Sequence, residues 1–270
     1  MVLYDALSND FLYSCSYFCP GYKPDEAIKS FVEVLKEQYE KNLIEVTKKE
    51  LDVNYGPNNV DIWGDKSDKL FVFIHGGYWQ EGCKEDGSSV VKPLIENNIQ
   101  VASVGYTLAN KIPLGETIEE IKCCVSFLHK KYPSSEIILS GHSAGAHLAA
   151  KVCEDEVIGS IVKKLVLYSG VFNLNDLVGT YIGNPINLTV NNAKEYSIDY
   201  EKLKKNYKGK SVLFVGGFES PKLKQQSNHF SIELKAPYHI IPNEDHFSYI
   251  KKLADVTSPA TIMTISIINE

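Results

Sequence analysis

The stretch Glu136-Ile137-Ile138-Leu139-Ser140-Gly141-His142-Ser143-Ala144-Gly145-Ala146-His147-Leu148-Ala149 decides how this chain reads. Residues 136–140 form a short apolar run, as expected of a strand buried on both faces of a parallel sheet. Residues 144–153 then begin a helix. The link between them, Gly141-His142-Ser143-Ala144-Gly145, fits the pattern G-x-S-x-G. A strand that turns straight into a helix strains the serine backbone, so its neighbours must be small, and Gly141, Ala144 and Gly145 are. The turn lifts the serine hydroxyl above the sheet. The N-terminus of the helix places positive potential beneath any negative charge that develops beside it. Ser143 is therefore the candidate nucleophile and the Ala144 N–H a candidate oxyanion donor.

Upstream, Leu70-Phe71-Val72-Phe73-Ile74 is a second apolar strand, and it stops at His75-Gly76-Gly77-Tyr78-Trp79. Glycines at a strand end allow main-chain amides to point into a site, so the Gly77 and Tyr78 N–H groups are expected to join that of Ala144. Downstream, a base is needed. His246 lies in Glu244-Asp245-His246-Phe247, just after the strand Tyr238–Ile241 and before an apolar helix. Six other histidines fit less well. His142 and His147 flank the serine, His75 belongs to the glycine loop, His239 is mid-strand, and His129 and His229 sit on helices. The acid that orients the base should lie between nucleophile and base in the chain. Glu219 follows the strand Val212–Val215 and fits, with Asp176 and Asp199 as alternatives. Asp245, adjacent to the base, is expected to point away from it. As an ordinary structural residue, Glu219 would be a helix N-terminal acid favoured by the helix dipole.

The remaining segments repeat the alternation. A helix opens at Pro24-Asp25-Glu26 with an apolar face of Ile28, Phe31, Val32, Leu35 and Tyr39, and residues 43–55 and 59–63 alternate like a hairpin. Strands are expected at 99–105 and 165–168, and helices at 116–132 and 222–234. The sum is a mostly parallel sheet covered on both faces, the α/β-hydrolase fold, as one domain over 1–270 with an N-terminal helical segment, 1–45. Residues 173–208 are polar, Asn-rich and interrupt the pattern. An excursion at this place can roof the ligand crevice as a lid.

Composition bounds the partners. Of 270 residues 44% are apolar and 23% charged, and the net charge of −6 with a pI near 5.7 argues against nucleic acid or an anionic membrane surface. All 28 basic residues are lysine, so no bidentate guanidinium clamp is possible. Six cysteines contain no C-x2-C pair, so neither metal nor other cofactor is expected. Met1-Val2-Leu3-Tyr4-Asp5 lacks the basic start of a signal peptide, so reduced thiols in the cytoplasm are the default expectation. The expected partner is a small-molecule substrate, and oligomeric state is not legible.

His-Gly-Gly-Tyr-Trp at 75–79 together with Gly-His-Ser-Ala-Gly-Ala-His-Leu at 141–148 resembles kynurenine formamidase, whose hallmark is H-G-G-x-W. Supporting matches are Val53-Asn54-Tyr55-Gly56 leading to Asp61-Ile62-Trp63, Ser169-Gly170-Val171-Phe172-Asn173-Leu174, and Glu219-Ser220-Pro221. The resemblance runs over about residues 45–250. It implies hydrolysis of N-formyl-L-kynurenine to L-kynurenine and formate, with the Gly77 and Tyr78 amides in the oxyanion hole. The family usually has aspartate where this chain has Glu219, and Asn173 also replaces a common aspartate. Trp79 and His142 are the candidate substrate contacts. Trp79 can equally be read as a buttress for the glycine loop. A general small-ester carboxylesterase is the alternative activity, and a non-catalytic interaction module the alternative class. A histidine base predicts a rate that rises with pH through a group near the ordinary value of ~6.5.

Overall fold

The computed structural model describes Asp5 and residues 7–270; the signal-peptide expectation on Met1–Tyr4 lies outside them. Eight strands form one sheet: β1 Lys49–Asn54, β2 Asn59–Trp63, β3 Lys69–Ile74, β4 Gln100–Val104, β5 Glu136–His142, β6 Val162–Tyr168, β7 Lys210–Gly216 and β8 Tyr238–Ile241. Their spatial order is β1-β2-β4-β3-β5-β6-β7-β8. The pairs β1–β2 and β2–β4 are antiparallel, and every pair from β4 to β8 is parallel. The central strands β3 and β5 are buried along almost their whole length, which is why they read as unbroken apolar runs. The longer helices are α1 Pro24–Glu45, α2 Leu114–Lys131, α3 Ala144–Val152, α4 Pro221–Leu234 and α5 Pro259–Asn269. They leave two apolar layers, one on each face of the sheet, around Leu70, Val72 and Ile74 and around Phe71 and Phe73.

Two expectations are corrected. The hairpin does not begin at residue 43: α1 runs on to Glu45, and β1 starts only at Lys49. The α1 face is also not uniformly inward. Leu35 is 1% exposed, but Ile28 and Val32 are 40% and 52% exposed, because they border a cavity rather than the core. At the sheet edge, β1 bulges between Glu50 and Val53. The buried Asp61 carboxylate accepts the Asp52 amide there, along with the Tyr39 hydroxyl and the Lys84 ammonium.

Residues 173–208 form only short helices, Asn175–Leu177, Asn184–Ile186, Val190–Tyr196 and Tyr200–Asn206, between β6 and β7. The chain before α1 contributes two further single turns, Asn9–Leu12 and Cys15–Phe18. No helix among the described residues is long and apolar enough to cross a membrane.

Candidate active site

Four parallel strands end on one side of the sheet, and their following loops meet there. Ser143 sits between β5 and α3 with φ 55° and ψ −116°, a conformation that costs a residue with a Cβ about 1–3 kcal/mol. The surroundings enforce it. The Ser143 amide donates to Tyr168 O at 2.8 Å, and Ser143 O accepts from the Ala146 and His147 amides. Gly145 lets α3 approach β3 closely, since a Cβ there would lie 2.0 Å from Ile74 O.

The loop after β3 runs through three consecutive residues of positive φ: Gly77 at 98°, Tyr78 at 48° and Trp79 at 62°. Its carbonyls turn outward to be paired, Gly77 O accepting from the Gln80 and Glu81 amides. Neither the Gly77 nor the Tyr78 amide donates to an acceptor among the described residues. The loop is tied down by side chains. The Tyr78 hydroxyl donates to Tyr13 O, and Trp79 Nε1 donates to His147 Nδ1 at 3.1 Å. His147 Nε2 in turn donates to Tyr196 O at 2.7 Å. These bonds suit the neutral imidazole, and burial lowers the His147 pKa to about 3.

His246, in the loop after β8, and Glu219, in the loop after β7, are both buried. His246 Nδ1 lies 2.6 Å from Glu219 Oε2, while Glu219 Oε1 accepts the Ser220 amide at 2.7 Å. The extra methylene relative to aspartate is thus accommodated. The other acids have different partners. Asp176 is bound to Tyr13 and Lys222, and Asp199 caps the helix at Tyr200. Asp245 accepts the Phe247 and Ser248 amides. Burial opposes charging His246, but the Glu219 carboxylate against its ring outweighs it and holds its pKa well above the ordinary value.

Ser143, His246, His142, Gly77 and Tyr78 line one cavity of about 260 Å³. Of the two expected substrate contacts, His142 borders it, and its Nε2 donates to His246 O at 3.0 Å. Burial, then the neighbouring His246, hold the His142 pKa well below normal, so it stays neutral. Trp79, the other, does not border the cavity: it is 0% exposed, packs in the core and sets its indole edge-on to His147 at 5.1 Å. Cys15, Ser16, Tyr181 and Ile182 also line the cavity and carried no reading from sequence, while Ile28, read as part of a helix's apolar face, lines it too. The only sequence signals were the aromatic density before residue 23 and the broken alternation over 173–208.

A serine on a strand–helix elbow, a buried imidazole–carboxylate pair and a glycine loop at the carboxyl ends of a parallel sheet define an α/β-hydrolase. The BD-FAE family model matches residues 60–157. A solved structure from a Silicibacter species superposes with a TM-score of 0.85 at 24% identity, covering 97% of this chain and 98% of that one. Kynurenine formamidase of Salmo salar is 30% identical over 257 residues, 86% of this chain and 85% of the relative. That of Danio rerio is 28% identical over 96% of this chain and 94% of its own. The chain belongs to the kynurenine formamidase family, and it is an enzyme of the arylformamidase type.

Proposed function

We propose that this protein hydrolyses N-formyl-L-kynurenine to L-kynurenine and formate, the second step of tryptophan breakdown, through Ser143, His246 and Glu219. The observation that carries the catalytic reading is the 2.6 Å contact of His246 Nδ1 with Glu219 Oε2, beside a cavity that the strained Ser143 also lines. Glu219 fixes the imidazole so that Nε2 is left to take the Ser143 proton as Oγ attacks the formyl carbon. The amides of Gly77, Tyr78 and Ala144 receive the oxyanion. His246 then gives the proton to the arylamine nitrogen as the C–N bond breaks. Water, activated by the same imidazole, cleaves the formyl-enzyme. A formyl group has no acyl substituent, which suits a nucleophile hemmed in by the Gly76–Tyr78 loop, where a Cβ on Gly76 would sit 3.2 Å from Ser143 Cβ. The turn at residues 181–182, part of the segment between β6 and β7, acts as the lid over this cavity. A cytoplasmic setting belongs to the same reading and agrees with six free thiols.

The test is turnover of N-formylkynurenine by purified protein, following arylamine absorbance. Ser143→Ala is expected to lower kcat by at least ~10³ while leaving the far-ultraviolet spectrum unchanged. Retention of more than a tenth of the activity rejects Ser143 as nucleophile. Small-ester hydrolysis is the second reading, favoured by the apolar mouth at Ile28 and Val32. A higher kcat/KM on a p-nitrophenyl ester than on N-formylkynurenine decides for it.

A further inference from the structure

The N-terminal turn Cys15–Phe18 places a thiol where the reaction just described has no use for one. Cys15 is 4% exposed, and its Sγ lies 3.5 Å from the Tyr78 hydroxyl. The Cys15 sulfur, a His246 ring nitrogen and a Glu219 carboxylate oxygen all lie within 4.8 Å of one another. We propose that these three side chains form an inhibitory binding site for a thiophilic divalent cation of the Zn²⁺ type, which switches the enzyme off by occupying its base.

The donor set selects the ion. One sulfur, one imidazole nitrogen and one carboxylate oxygen suit Zn²⁺ and its close analogues, whereas Mg²⁺ and Ca²⁺ require oxygen ligands. Bond lengths of about 2.0 Å to N and O and 2.3 Å to S demand ligand separations somewhat above 3 Å. The site meets this if the 2.6 Å His246–Glu219 contact opens slightly and the sulfur, within 4.8 Å of both, closes to that range. Thiolate and carboxylate together offset the two charges of the ion, and among the described residues no lysine lines the cavity to repel it. Cys15 and His246 both border the cavity, so an ion can reach them from solvent and keep a water as its fourth ligand. On binding, the Cys15 S–H bond breaks and its proton goes to water, the Nδ1 proton that His246 holds toward Glu219 leaves to Nε2 or to water, and metal–sulfur and metal–nitrogen bonds take their places, with no change of oxidation state. Metal on the imidazole and carboxylate removes the pair that takes the serine proton, so inhibition rests on the reading of His246 as the base.

Two measurements on the full chain separate this proposal from the functional reading. Titration with Co²⁺ reads the site without any turnover. The wild type is expected to show a near-ultraviolet thiolate-to-cobalt charge-transfer band that Cys15→Ala lacks. Titration with Zn²⁺ during hydrolysis, of a p-nitrophenyl ester if N-formylkynurenine is not a substrate, should inhibit the wild type and be reversed by a chelator. Each rate is read against the same variant's metal-free rate, and Cys15→Ala should need at least ~10-fold more Zn²⁺ for half-inhibition. Absence of the band from the wild type, its survival in Cys15→Ala, or equal Zn²⁺ sensitivity of the two proteins overturns the proposal.

Discussion

In the proposed mechanism, proton traffic concentrates on His246. A base acts only when neutral, and the structure holds its pKa well above the ~6.5 expected from sequence alone. The kcat/KM profile should therefore rise through an apparent pKa clearly above ~6.5, not at it. A rising limb complete by pH 6.5 contradicts the placement of Glu219 against the ring. The same shift has a sign for stability. A raised folded pKa stabilises the fold fully below the unfolded value, and this contribution is lost as pH rises through the folded pKa. Removing the orienting anion tests the acid. Glu219→Gln should lower kcat by roughly 10³ or more, as loss of the orienting carboxylate does in comparable triads. Asp176→Asn and Asp199→Asn should change kcat by less than ~10-fold, since those carboxylates serve Lys222 and a helix cap. The reverse order in steady-state kinetics would move the acid.

Elements here are positioned by close backbone approach. The α3 N-terminus sits under Ser143 only because Gly145 allows it to touch β3, with Ile74 O 2.0 Å from where a Cβ would be. No rotamer relieves a clash with a carbonyl oxygen, so Gly145→Ala must push α3 away from the sheet. It should destabilise the fold by about 1–3 kcal/mol and lower kcat as well. Urea unfolding measures the first and turnover the second; an unchanged midpoint refutes the packing argument. The elbow, the glycine loop and the loops carrying Glu219 and His246 were legible because each follows an apolar strand. The start of β1 was not. Residues 43–48 alternate acceptably for a strand, but α1 continues to Glu45, since packing along one helix face outweighs a short local pattern.

Across the whole molecule, segments far apart in sequence brace the site. Trp79 on the glycine loop holds His147 on α3, and His147 holds Tyr196 in the segment between β6 and β7. Tyr13 joins the chain start to the same assembly through Tyr78, Asp176 and Gln226. Trp79→Phe removes a buried donor, leaves His147 Nδ1 unpaired and opens a void. It should cost about 2–4 kcal/mol of stability. It should also reduce kcat more than it raises KM if the loop Trp79 braces is the proposed oxyanion loop, since Trp79 itself does not line the cavity. A change in KM alone would return Trp79 to the role of substrate contact.

The order of strands and helices, the serine elbow and the histidine after the last strand followed from sequence, because each is a local pattern of apolar period and small residues. Which carboxylate meets the imidazole was narrowed by chain order, but only the fold, by giving Asp176, Asp199 and Asp245 other partners, left Glu219 at the ring. The Cys15 thiol beside His246, the buried place of Trp79 and the cavity face of Ile28 and Val32 were decided by tertiary structure alone. Each depends on contacts between segments distant in the chain, and no local period records such contacts.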